Sequence, residues 1–193
     1  MTDYQKATNA AYEILQDYDG RYPQIDIFRI VDTFPQVRVH TYTEIAARMG
    51  VSVHEFMTEF AESEMGYTVF DTGNNRWLIF YNDQKSETTI RFTIAHELGH
   101  IILNHAEDTP AADKEANCFA RNILCPVPIR DEFGLTTLSD YCFMFDISDK
   151  MAQVVKNLNN NDSYYITHEN YALISANVYA YFAGYTPEMM YGY

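Results

Sequence analysis

The chain has 193 residues with 47% hydrophobic content, enough for one domain with a real core or a compact domain with appendages. Its 13 Lys and Arg stand against 27 acids, a net charge of −14, which disfavours a protein that binds nucleic acid by neutralising phosphates. Cys118, Cys125 and Cys142 form no C-x-x-C pair, which argues for reduced thiols in a cytosolic protein and against a disulfide framework or zinc ribbon. The first residues show no basic stretch leading into an apolar run, and no segment is apolar for long enough to span a membrane.

In chain order, residues 4–19 read as a first helix, with Ala7, Ala11, Ile14, Leu15 and Tyr18 at helical spacing and Gly20 just beyond. Residues 23–33 predict a short second helix, and 37–40 a strand. Residues 43–60 contain Ile45 to Ser52, which resembles the centre of a helix-turn-helix. Residues 66–82 predict a hairpin, with strands 67–70 and 76–81 around a turn at 71–75. Helices follow over 91–105 and around Ala116, Ala120, Ile123 and Leu124, the second ended by Pro126 and Pro128. A further helical region repeats the earlier turn pattern, with Phe145, Ile147 and Ser148 matching Met49, Val51 and Ser52. Ser52 and Ser148 are good helix N-caps, and neither following helix is basic, so two short packed helices explain each pattern better than a DNA reader. Residues 157–162 read as a polar turn. The tyrosine-rich tail, 164–193, leaves open whether Tyr171, Tyr179, Tyr181 and Tyr185 form an exposed binding face or a packed β element.

The segment His96-Glu97-Leu98-Gly99-His100 carries the chemistry. Two histidines four apart on a helix project from one face and can grip one metal ion. Glu97 is turned aside from that face, close enough to take a proton from a water activated at the metal. At 100° per residue, Ile94, Leu98, Ile101 and Ile102 gather on a stripe opposite the two histidines. His105, five residues past His100, returns beneath that stripe if the helix continues, and reads as a core-edge histidine.

Catalytic zinc normally has three protein ligands and one water. Glu115 is the best candidate for the third, because two antiparallel helices joined near Thr109-Pro110 would bring it back over the histidines. Asp113, Asp108 and Glu107 compete on spacing alone.

Arg91 to His100, followed by Glu115-Ala116-Asn117-Cys118-Phe119-Ala120-Arg121-Asn122-Ile123-Leu124-Cys125-Pro126, resembles the ImmA/IrrE family of zinc metallopeptidases. The resemblance runs from about residue 66 to 158. It implies a zincin-like α+β fold, mostly helical with a small sheet or hairpin before the H-E-x-x-H helix. It also implies zinc ligands His96, His100 and Glu115, with Glu97 as general base.

The expected organisation is an N-terminal helical segment (1–65), a metal-binding core (66–128) and a C-terminal helical, tyrosine-rich region (129–193), packed as one unit. The expected activity is that of a cytoplasmic zinc endopeptidase, with no membrane and no direct nucleic-acid partner. The family resemblance further implies cleavage of a helix-turn-helix repressor, as an anti-repressor of a mobile element, phage or stress response. Repressors of that kind are often basic, which the acidic surface suits. The alternative is a catalytically silent module of the same fold that regulates a partner without cutting it.

Overall fold

The computed structural model describes residues 2–107 and 109–184; Asp108 and Tyr185, both singled out above, lie outside them. Within these bounds the protein is α+β, mostly helical with one small sheet. The elements are α1 (Tyr4–Gln16), α2 (Ile27–Asp32), β1 (Val37–Thr41), α3 (Tyr42–Met49), α4 (Val53–Glu59), β2 (Gly66–Asp71), β3 (Arg76–Tyr81), α5 (Glu87–Ile102), α6 (Pro110–Leu124), α7 (Val127–Glu132), α8 (Leu138–Phe145), α9 (Asp149–Tyr165) and α10 (His168–Ala183).

Local chemistry sets most of the boundaries. Side chains at Asp3, Asp26, Thr41, Ser52, Ser86, Thr109, Thr137, Ser148 and Thr167 each accept a backbone N–H of the helix they open. The second helix is shorter than expected because Asp26 caps it, accepting from the N–H groups of Phe28 and Arg29. Pro126 and Pro128 do end α6, but Pro126 is also the N-cap of α7 and Pro128 lies in its first turn, where a missing N–H costs nothing.

One expectation needs correction, and one open alternative is decided. Residues 157–162 are not a turn; they lie inside α9, because Asp162 and Asn159 are bonded to arginines of other helices and tertiary contact overrides their weak helix propensity. The described part of the tyrosine-rich tail is not β either. It forms the end of α9 and the helix α10, in which Tyr179 is exposed and Tyr171 donates to Asp131.

The sheet order is β1-β3-β2. Strand β3 is central, parallel to β1 and antiparallel to β2, with Gly66 opposite Tyr81 and Asp71 opposite Arg76. Alternation along β2 sends Gly66 and Thr68 toward α5, where Gly66 meets Thr93 and Thr68 meets Glu97, while Tyr67 packs on the other face over α3 and α4. There Tyr42, Ala46 and Phe56 form a small core of their own, so the apolar positions of the turn-like segment serve packing. The main core draws Tyr12, Ile30, Ile79, Leu98, Phe119 and Ile174 together from six elements between α1 and α10.

Helices α5 and α6 cross closely because position 99 has no side chain: a Cβ there would lie 3.0 Å from Phe119 Cδ1 and 3.2 Å from Ala116 Cα. A Cβ at Gly66 is worse placed, 2.4 Å from Thr93 Cγ2 and 2.8 Å from the backbone oxygen of Phe80. Gly66→Ala should therefore separate β2 from α5 and destabilise the fold by about 1–3 kcal/mol. Urea unfolding checks this, and an unchanged midpoint would show that the contact relaxes freely.

Candidate metal centre

The first histidines of the site come from the middle and end of α5. That helix buries Ile94, Ala95 and Leu98 completely and turns His96 and His100 toward the start of α6. Their Nε2 atoms face each other at 3.0 Å. Asp113 Oδ1, from the first turn of α6, lies 3.8 Å from His96 Nε2 and 3.7 Å from His100 Nε2. A tetrahedral zinc with bonds near 2.05 Å has ligand–ligand edges of about 3.3 Å, so two imidazole nitrogens and a carboxylate at these separations fit that ion.

The other ring nitrogens are also placed. His96 Nδ1 lies 3.1 Å from Asn117 Oδ1, an acceptor, so this nitrogen is the donor and the Nε2 lone pair is turned toward His100 and Asp113. Asn117 follows Asp113 by four residues, one turn along the same helix face. His100 Nδ1 lies 3.1 Å from His105 Nδ1.

Glu115, the third ligand that the resemblance implies, faces elsewhere in this arrangement. Its Oε1 accepts the backbone N–H of Asp3 at 2.7 Å, and its Oε2 lies 3.1 Å from His105 Nε2. Two residues separate it from Asp113, a rotation of about 200°, so the two acids look out from opposite sides of α6. Glu107 is not part of the His96–His100–Asp113 group.

Glu97 is nearly buried at 9% exposure, and its Oε2 accepts from the Thr68 hydroxyl at 2.8 Å. It borders a cleft of about 850 Å³ that runs from Met65 and Gly66 on the β2 side, past Phe92, His96 and Glu97, to Val154 and Tyr165 of α9. Ser148, the last residue of the Phe145-Asp146-Ile147-Ser148 segment, lines the same cleft, while Phe145 and Ile147 are buried. Cys118 reaches the cleft wall but is 1% exposed, and burial raises its thiol pKa. It therefore holds its proton and acts as a filler.

The IrrE N-terminal-like domain of the M78 peptidases matches residues 46–128. Over that stretch, the chain is similar to the ImmA/IrrE family. The stretch similar to the ImmA/IrrE domain begins inside α3 and takes in α4, the β2–β3 hairpin, both metal-site helices and the start of α7. The domain it resembles is of the metallopeptidase type, and the histidine pair and Glu97 lie within the matched stretch. No curated protein matches the chain.

Motif reading missed Thr68 and Asn117. Asn117 was legible in principle, since i and i+4 put it beside Asp113. Thr68 was not, because strand alternation assigns a face but no partner. His105 read as a core-edge histidine, and its contacts with His100 and Glu115 carried no signal in the spacing.

Proposed function

We propose that the chain is a zinc-dependent endopeptidase with a zincin-like site, cutting a protein substrate that lies extended in the cleft between β2 and α9. The observation that carries this is the convergence of His96 Nε2 and His100 Nε2 at 3.0 Å, with His96 and a nearly buried Glu97 lining one open cleft. His96 and His100 would hold the ion with one acid from the start of α6. Asp113 lies near both histidines and the family resemblance implies Glu115; of Asp113→Ala and Glu115→Ala, the variant with the larger loss of zinc affinity identifies the ligand. Zinc supplies Lewis acidity toward the scissile carbonyl and the attacking water.

The protein's own groups do the rest. Glu97 takes the proton from the attacking water at its carboxylate and returns it to the departing amine. The Thr68 hydroxyl holds that carboxylate in place through Oε2. Strand β2 is an edge of the sheet, so its outer backbone groups can pair with an extended peptide, and Met65 and Phe92 offer apolar contact. The apolar wall of α9 closes the other side.

The substrate we propose is a basic helix-turn-helix repressor, in the cytoplasm, attracted by the net charge of −14. The protein would then act as an anti-repressor. Incubating the chain with candidate repressors, with and without a zinc chelator, tests this. Defined fragments that disappear with the chelator support it. Stoichiometric binding without fragments in zinc-loaded protein would favour the non-cutting regulator instead.

A further inference from the structure

His105 stands outside the proposed ligand set, yet it touches two acid–base groups of the site. Its position is produced by the way α5 ends. Asn104 adopts φ of +57°, the left-handed conformation that asparagine tolerates better than most residues. Its N–H then bonds to the carbonyl of Ile101 at 3.1 Å, and the His105 N–H bonds to that of His100 at 3.0 Å. This pair of bonds is a Schellman termination, and it folds the His105 ring back against the ring of His100, centroid to centroid at 5.0 Å. The ammonium of Lys6 also caps this end of the helix, donating to the Leu103 carbonyl at 3.1 Å.

The hydrogen-bond directions follow from one fixed point. A carboxylate can only accept, so His105 Nε2, 3.1 Å from Glu115 Oε2, carries the proton. In a neutral imidazole the other nitrogen is then an acceptor, so His105 Nδ1 receives a proton bond from His100 Nδ1 at 3.1 Å. With its proton committed to Nδ1, His100 presents the lone pair of Nε2 on the side where His96 Nε2 and Asp113 Oδ1 converge. The relay is anchored at its far end, since Glu115 Oε1 accepts the backbone N–H of Asp3. The side chains of His105 and Glu115 are only 10% and 12% exposed, so water competes weakly for these bonds.

We propose that His105 is a positioning residue of the metal centre, which holds His100 in its ligating tautomer and orientation while being anchored by Glu115. The proposal rests on the reading of His96 and His100 as metal ligands. Metal-bound histidines commonly donate their second nitrogen to a carboxylate or carbonyl; here an imidazole is interposed between His100 and the carboxylate. Loss of such a partner weakens metal binding by about 10–100-fold.

The test is zinc affinity of the full chain by competition with a chromophoric chelator, with thermal unfolding of the metal-free proteins alongside. Wild type, His105→Ala, His105→Asn and His100→Ala are compared. Asparagine places an acceptor near the position of Nδ1, so it should recover most of the affinity that alanine loses. The expected result is about 10–100-fold weaker binding in His105→Ala, recovery in His105→Asn, and a larger loss in His100→Ala. Binding by His105→Ala equal to wild type overturns the proposal. So does an asparagine variant that is as well folded as wild type and as weak as alanine. If wild type itself binds no zinc, the metal reading fails, and the proposal with it.

Discussion

Glu97→Gln should lower peptide hydrolysis by about 10²–10⁴-fold while leaving the zinc content of the protein unchanged. The substitution keeps the size and shape of the side chain, and the amide oxygen can still accept from the Thr68 hydroxyl that now bonds Glu97 Oε2 at 2.8 Å. What it removes is the capacity to take up a proton. Because Glu97 stands outside the His96–His100–Asp113 group, metal binding has no reason to change. Measuring both quantities on one preparation separates the roles. Activity retained in full would mean that the base is another residue. Zinc lost together with activity would mean that Glu97 ligates the ion.

The largest effect on stability is expected at Asp162. Its side chain is completely buried in α9 and is bonded to two arginines of neighbouring helices. Arg121 Nε and one of its terminal nitrogens reach the carboxylate at 2.8 and 2.6 Å, Arg130 at 3.0 Å, and Asn122 Nδ2 at 3.3 Å. Asp162→Asn removes the one anion and leaves two buried guanidinium groups without their counter-charge. The cost should be about 3–5 kcal/mol, read as a shift of the urea midpoint at neutral pH. A shift below about 1 kcal/mol would show that water enters and screens the arginines.

The same group predicts a pH dependence. Burial opposes ionisation of Asp162, but the hydrogen bonds and charges of Arg121 and Arg130 outweigh it and hold the carboxyl below its ordinary range. A depressed folded-state pKa gives stability that is complete above the ordinary aspartate range and is lost as pH falls through the folded value. Wild type should therefore lose stability on acidification, and Asp162→Asn should lose less over that window. This anchor also bears on the cleft, since α9 supplies one wall and Asp162 ties that wall to α6.

The parts of the fold that could be read from residues are those fixed by local rules. The H-E-x-x-H helix, its antiparallel partner and the hairpin follow from periodicity, capping side chains and turn residues. The position of β1 beside β3 was not legible, because a parallel pairing across some forty residues leaves no local trace. Residues 157–162 of α9 read as a turn because of their asparagines, whose weak propensity is overridden by the buried arginine contacts of Asp162.

At the site, spacing identified His96, His100 and Glu97 as neighbours but could not rotate α6. A turn of about 200° decides whether Asp113 or Glu115 looks at the histidines, and that rotation is set by the packing of Gly99 against Ala116 and Phe119. His105 depended on a single backbone angle at Asn104, which no periodicity reveals.

Zinc content of the full chain, purified without chelator and measured by elemental analysis, tests the metal centre most directly. Wild type should carry about one zinc per chain, and His96→Ala should carry almost none while remaining folded. A wild type that is empty and takes up no added zinc would contradict the metal centre and the peptidase reading built on it.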